Sequence, residues 1–358
     1  MHNSQDGASM ALASQGGAAD ATPNGALIKF NACAGCHTNT AADIWMASSG
    51  IPIVYNTTGY PATSLAGGNF YDGADATHVH TVNGSISSGL AADAITSPPG
   101  FKTVSIPSAF TAAQGSNWGP QADTWVLATH NLTCAGTYGC HGDRSWVGGN
   151  ALDDFGGIRG AHHTDVASLT PTTANAGTTV GKSYRFLAGI LSWEQDVSSH
   201  EYERDADATN HNGYLGAPYA TPSDKTISSL CAECHGVFHS QGGSGIGTGS
   251  PWLRHPTDIQ FSDAQSHNGE FASGAATYGT TYIIDVPIGF LPGTANATAL
   301  TGVPASTDDY VVTCLSCHRA HGSPNKDLLR WAYTETDGTG GLPAPAAGHS
   351  CRTCHTEH

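Results

Sequence analysis

The stretch Thr313-Cys-Leu-Ser-Cys-His-Arg-Ala-His321 decides how the rest of the chain is read. Cys314, Cys317 and His318 stand in C-x-x-C-H order, and His321 follows three residues later. This spacing is the attachment motif of c-type haem. Two thiols add across the haem vinyl groups, and the next histidine ligates the iron from the proximal side. One helical turn puts all three groups on one haem face. A single copy would also fit half of a zinc site.

The motif recurs until the cysteines are used up. Cys33, Cys36 and His37 keep the spacing, as do Cys231, Cys234 and His235, and Cys351, Cys354 and His355. Cys134, Cys140 and His141 keep the C-H end but put five residues between the thiols. The ten cysteines thus form five pairs, each closed by a histidine. Zinc sites and disulfide frameworks have no use for a histidine after every second cysteine. The residues therefore predict five haem c groups, with a local disulfide as the competing reading of Cys134 and Cys140. Gly136 and Gly139 favour haem there, because glycine lets the extra residues loop outward.

Composition fits the same picture. At 358 residues, two or three ordinary domains would be expected. Only 12% of residues are charged, while 45 are glycine and 18 proline, which suits an irregular chain wrapped on something else. Haem faces can supply the apolar core that aliphatic layers normally provide. A formal charge of −16 argues against nucleic-acid binding. No apolar run is long enough for a membrane span, and no signal peptide is visible. Because c-type haem is attached outside the cytoplasm, an exported, extracellular or cell-surface protein is expected, its leader not part of this chain. The predicted fold is mostly coil with short helices and few short strands. The attachment sites are threaded along the whole length, so residues 1–358 are expected to form one continuous unit without a clean domain boundary.

Several local elements can be read. Asn24 is placed to cap a helix over 25–34 that delivers Cys33 and His37. Residues 184–196 form a short amphipathic candidate. Asp224 is placed to cap a helix through Cys231 into His235. Short strands are expected at 280–285 and 288–291, and Thr307-Asp308-Asp309 reads as an acidic helix start leading into Cys314. No 20–50-residue repeat is evident.

The second axial ligand decides the chemistry. Three methionines are too few for five irons, whereas 19 histidines suffice for a bis-histidine pair at every one. His239 and His321 follow a proximal histidine by four and three residues. They share roughly its face and cannot reach the far side of their own haem, so each is a candidate ligand of a neighbouring iron. His255 is fixed by Pro256 beside Trp252. The doublet His162-His163 offers one ligand and a spare. The long early loop offers His80, ahead of His78. His130, His200, His211, His267 and His349 are given no iron.

Five tracts also carry a resemblance: Thr313–His321, Leu230-Cys-Ala-Glu-Cys-His-Gly-Val-Phe-His239, Leu253-Arg-His-Pro256, Tyr184-Arg-Phe-Leu187 and the opening Met-His-Asn-Ser. Together they resemble the OmcS/OmcE-type extracellular multihaem cytochromes, in order and over most of the chain. The resemblance implies a coil-rich fold around a continuous stack of bis-histidine haems. It also implies head-to-tail polymerisation into a conductive filament and electron delivery to external acceptors. In addition it implies that a histidine near the N-terminus ligates a haem of the next subunit, a role that falls on His2, with the haem of Cys314 as recipient. In such relatives Met-His-Asn-Ser directly follows a C-x-x-C-H-Thr. The chain is thus expected either to start just past a further haem motif or to belong to a lineage without it.

Three functions compete: an electron-transfer filament, a non-polymerising extracellular or periplasmic electron shuttle that works with redox partner cytochromes, and a multihaem reductase. A reductase needs an open iron position, signalled by C-x-x-C-K or by too few histidines, and neither is present. Two histidines close both axial positions and leave outer-sphere electron transfer as the natural task, that of an electron carrier and not an enzyme.

Overall fold

The structure is a computed structural model that describes residues 4–5, 8–9, 33, 37–39, 44–46, 51–71, 77–80, 82, 132–136, 139–142, 187, 190–193, 211–217, 225–232, 234–235, 257, 259–260, 282–291 and 310–332. Among them the chain is mostly coil, punctuated by strands of two or three residues and short helical turns. That is the architecture the glycine and proline content predicts. No helix among the described residues is long and apolar enough to cross a membrane. The chain divides into two compact units, each assembled from three separate stretches.

The first unit takes Met1–Ser97, Val126–His163 and Arg319–Leu328. Strands β1 (Ser4–Gln5) and β2 (Ala8–Ser9) pair antiparallel. Beyond them come β3 (Thr38–Asn39), β4 (Trp45–Met46), β5 (Ile51–Pro52), β6 (Tyr55–Asn56) and β7 (Phe70–Tyr71). A parallel sheet runs β3-β6-β7, and β4 pairs antiparallel with β5. Tyr55, Phe70, Val79 and Val82 form its buried cluster, with Tyr60, Tyr71, Leu132 and Cys134 packed against it. The buried Asn69 ties this layer together, its side-chain amide donating to the Ile53 carbonyl at 2.7 Å and to Asn56 Oδ1 at 3.0 Å.

A late stretch of chain completes this unit. Gly322 bridges both Gly68 and Val79. A Cβ on Gly68, whose φ is +76°, would fall within van der Waals radii of the Gly322 carbonyl oxygen. The close approach requires glycine at 68, and a Cβ on Gly322 would in turn meet Val79 Cγ1 at 2.7 Å and the Asn69 carbonyl oxygen at 2.8 Å.

The second unit takes Pro98–Trp125, Thr164–His318 and Leu329–His358. Its strands β10 (Ser192–Trp193), β11 (Gly213–Leu215), β12 (Ile259–Gln260), β13 (Gly289–Phe290) and β14 (Tyr310–Val312) form one sheet in the order β10-β11-β13-β14-β12. Only β11 and β13 run parallel. Tyr282, Val286, Ile288, Phe290, Tyr310 and Val312 make its core, with Trp331 against it. Two short helices, α1 (Ile227–Ala232) and α2 (Cys314–Cys317), carry attachment cysteines.

Four local expectations change. The acidic helix start at 307–309 does not lead a helix into the motif: 310–312 is β14, and the helix begins only after Thr313. The β-branched pair Val311-Val312 is buried between β13 and β12, where such side chains pack well. Of the two strands expected at 280–285 and 288–291, only Gly289–Phe290 forms among the described residues. Residues 283–286 close a turn through Val286 N–H and the Ile283 carbonyl at 3.0 Å, and Pro287, which lacks an N–H to donate, follows it. The end of the amphipathic candidate at 184–196 is extended, because Ser192–Trp193 pairs with Gly213–Tyr214. The helix into Cys231 does form, and Thr226 caps it, its hydroxyl accepting from Ser229 N–H at 3.1 Å. Asp224 and, apart from Cys33, the expected helix over 25–34 lie outside the described residues.

Candidate haem sites

Three C-x-x-C-H motifs share one geometry. The histidine N–H donates to the carbonyl of the first cysteine in each: His37 to Cys33 at 3.0 Å, His235 to Cys231 at 2.9 Å, and His318 to Cys314 at 3.0 Å. This is the i to i−4 bond that closes one helical turn. Each motif therefore folds into the single turn that covalent attachment requires.

The His37 ring shows the fit to iron most clearly. Its Nδ1 lies 2.8 Å from the Pro52 carbonyl oxygen. A carbonyl only accepts, so the proton sits on Nδ1 and the Nε2 lone pair is the one available to a metal.

Around Cys314 the anchoring is denser. Ser316 Oγ accepts from Thr313 N–H at 3.0 Å and donates to the Pro287 carbonyl at 2.5 Å. Arg330 covers the other end of α2, its N–H donating to the Cys317 carbonyl at 2.9 Å and its Nε–H to the Leu315 carbonyl at 2.5 Å. The buried Ser228 hydroxyl on α1 accepts from Cys314 N–H at 3.1 Å. The structure thus sets two attachment helices side by side, a pairing that their separation in sequence conceals.

The fourth described site is built differently. β8 (Thr133–Ala135) and β9 (Gly139–His141) carry Cys134, Cys140 and His141. Gly136 has a φ of +82°, a conformation that favours glycine, and its N–H donates to the His141 carbonyl at 2.9 Å. The Gly139 N–H donates to the Gly136 carbonyl at 3.0 Å. Glycine is needed at both positions, at Gly136 for its positive φ and at Gly139 because a Cβ would strike the Ala135 backbone. No disulfide joins Cys134 to Cys140.

Among the distal candidates, His80 and His321 are described. The His80 Nδ1–H donates to the Ala320 carbonyl at 2.5 Å, and its N–H donates to the His321 carbonyl at 3.0 Å. Burial of the ring lowers the His80 pKa, against the raising effect of that bond to Ala320. Although part of the residue reaches the surface, burial of the ring favours its neutral form, the one that ligates iron. His321 Nδ1–H donates to the Gly68 carbonyl at 3.1 Å. His78 instead holds its Nδ1 against the Thr77 hydroxyl at 3.1 Å.

His2, His162, His163, His239 and His255 lie outside the described residues, as do Cys36, Cys351, Cys354 and His355. His211, given no role by the sequence, is 2% exposed. Its Nδ1–H donates to the Asn212 carbonyl at 2.8 Å, and its ring lies flat on Tyr282, centroids 3.4 Å apart. The loop-like Asn210-His-Asn-Gly213 gives no sign of that burial. Among the described residues no group of three or more His, Cys, Asp and Glu is gathered to hold a bare metal ion.

Comparison with known proteins adds two findings. Residues 304–339 match the model of the doubled CXXCH motif, a covalent haem c segment. The fold aligns with the outer membrane cytochrome S filament from Geobacter sulfurreducens at 16% identity and a TM-score of 0.39, covering 93% of this chain and 82% of that one. No curated protein matches the chain. Over residues 304–339, which contain Cys314, Cys317 and His318, the chain is thus similar to a doubled CXXCH segment.

Proposed function

We propose that this chain is a multihaem c-type cytochrome that carries electrons without transforming a substrate. Five haem c groups are held by Cys33/Cys36, Cys134/Cys140, Cys231/Cys234, Cys314/Cys317 and Cys351/Cys354. His37, His141, His235, His318 and His355 are the proximal ligands. The second ligands are drawn from His2, His80, His162 or His163, His239, His255 and His321. The haem supplies reversible one-electron chemistry. The described candidates His37, His80 and His321 each hold Nδ1 against a backbone carbonyl, the arrangement in which a pair of imidazoles would hold an iron through Nε2. The observation that carries this reading is the same closed turn in three separate C-x-x-C-H motifs.

The protein acts outside the cytoplasm as one continuous unit, and its subunits join head to tail through His2 into a conductive filament for external acceptors. Electron paramagnetic resonance of the ferric protein tests the ligation, and low-spin signals should account for every haem. A stoichiometric high-spin signal, or carbon monoxide binding to one whole haem equivalent, would favour a reductase. Negative-stain electron microscopy tests the assembly, and isolated particles in place of filaments would favour an electron shuttle.

A further inference from the structure

The geometry points to His321 as the distal ligand of the haem attached at Cys134 and Cys140, opposite His141. This assignment rests on the reading of that cysteine pair as a haem site. The His141 and His321 rings have centroids 6.1 Å apart with their planes at 43°. A metal–imidazole bond of about 2 Å, plus about 1 Å from nitrogen to ring centre, separates two rings trans across one metal by about 6 Å. The observed spacing is the one that a single iron between them requires.

His321 is held for this task from four sides. Its N–H donates to the Gly67 carbonyl at 2.7 Å, and its own carbonyl accepts from His80 N–H at 3.0 Å. Its Nδ1–H donates to the Gly68 carbonyl, which leaves the Nε2 lone pair for the metal. Its ring stacks on Phe70 at 5.0 Å and 27°. Gly67 leaves room for the ring: a Cβ there would stand 3.1 Å from His321 Cε1 and Nδ1. Cys134 packs against the cluster that contains Phe70. One thiol and the His321 imidazole thus border the same apolar lining. Conversely, His321 follows His318 too closely to cross to the far side of that residue's own haem.

The test uses the full-length, haem-loaded chain. His321→Ala should turn one haem equivalent high-spin and open it to carbon monoxide, and added imidazole should return it to low spin. In a Cys134→Ser/Cys140→Ser background, which lacks the haem in question, the same substitution should create no high-spin haem. Persistence of the signal in that background would assign His321 to another iron and overturn the proposal, as would a fully low-spin His321→Ala protein. Should the alanine variant fail to fold, His321→Met serves instead. A thioether ligand should raise the potential of one haem, and unchanged potentials would overturn the assignment equally. Intact mass separates the two possible failures: no haem on the Cys134/Cys140 pair of the parent protein defeats the attachment reading itself. A haem present there but indifferent to His321 defeats only the ligand assignment.

Discussion

Gly139 has no space for a side chain. A Cβ there would fall on the Ala135 backbone, within 2.6 Å of its Cα. Gly139→Ala should therefore spread the loop between Cys134 and Cys140 and prevent attachment at that pair. Intact mass should then show one haem fewer, whereas a full complement would contradict the packing described. Ser316 is a second sensitive residue, because its hydroxyl serves Thr313 N–H and the Pro287 carbonyl at once in a buried position. Ser316→Ala leaves both backbone groups unsatisfied and should cost about 1–3 kcal/mol, read as a lower denaturant midpoint with unchanged haem content. At this scale the sequence was legible wherever the chemistry is local. Thiol, thiol and histidine meet within one turn, so spacing alone identifies them. The partners of the distal histidines were not legible. His80 reaches Ala320, 240 residues away, and His321 reaches Gly68, 253 residues away. Nothing in the local pattern encodes either contact.

The short elements owe their form to what they pack against. Phe290, 1% exposed, lies in the core cluster that carries β13 and β14, and β14 leads directly into the turn of Cys314. Phe290→Ala should cost about 3–5 kcal/mol, measured by equilibrium unfolding, and should broaden the spectra of the haem at Cys314. A loss below about 1 kcal/mol would mean that the sheet does not support the site. The same packing explains where the sequence misled. Asp308 and Asp309 resemble a helix start, yet the following Val311 and Val312 gain more as buried strand residues between two neighbours than as a first helical turn. Helix α1 was legible because its apolar and small residues and its junction with Cys231 agree with one another. Its actual cap, Thr226, sits two residues after the expected one, and only the bond to Ser229 reveals it.

For the whole molecule, coil content followed from composition, with 45 glycines and 18 prolines among 358 residues. A chain so poor in regular layers needs another apolar body to pack on, and five haems would provide it. The proposed polymerisation belongs to the largest scale. A heterologous, head-to-tail contact propagates into an open filament unless its rotation closes it. His2→Ala should shorten filaments to monomers or small oligomers with one altered haem per chain, and normal filaments seen by electron microscopy would exclude His2 as the joining ligand. The central claim, however, is the covalent haem complement, and intact-mass spectrometry after acid–acetone extraction tests it most directly. Thioether-linked haem survives that extraction, so the account predicts the chain mass plus five haem increments. The bare chain mass, with any metal lost to the acid, would contradict it.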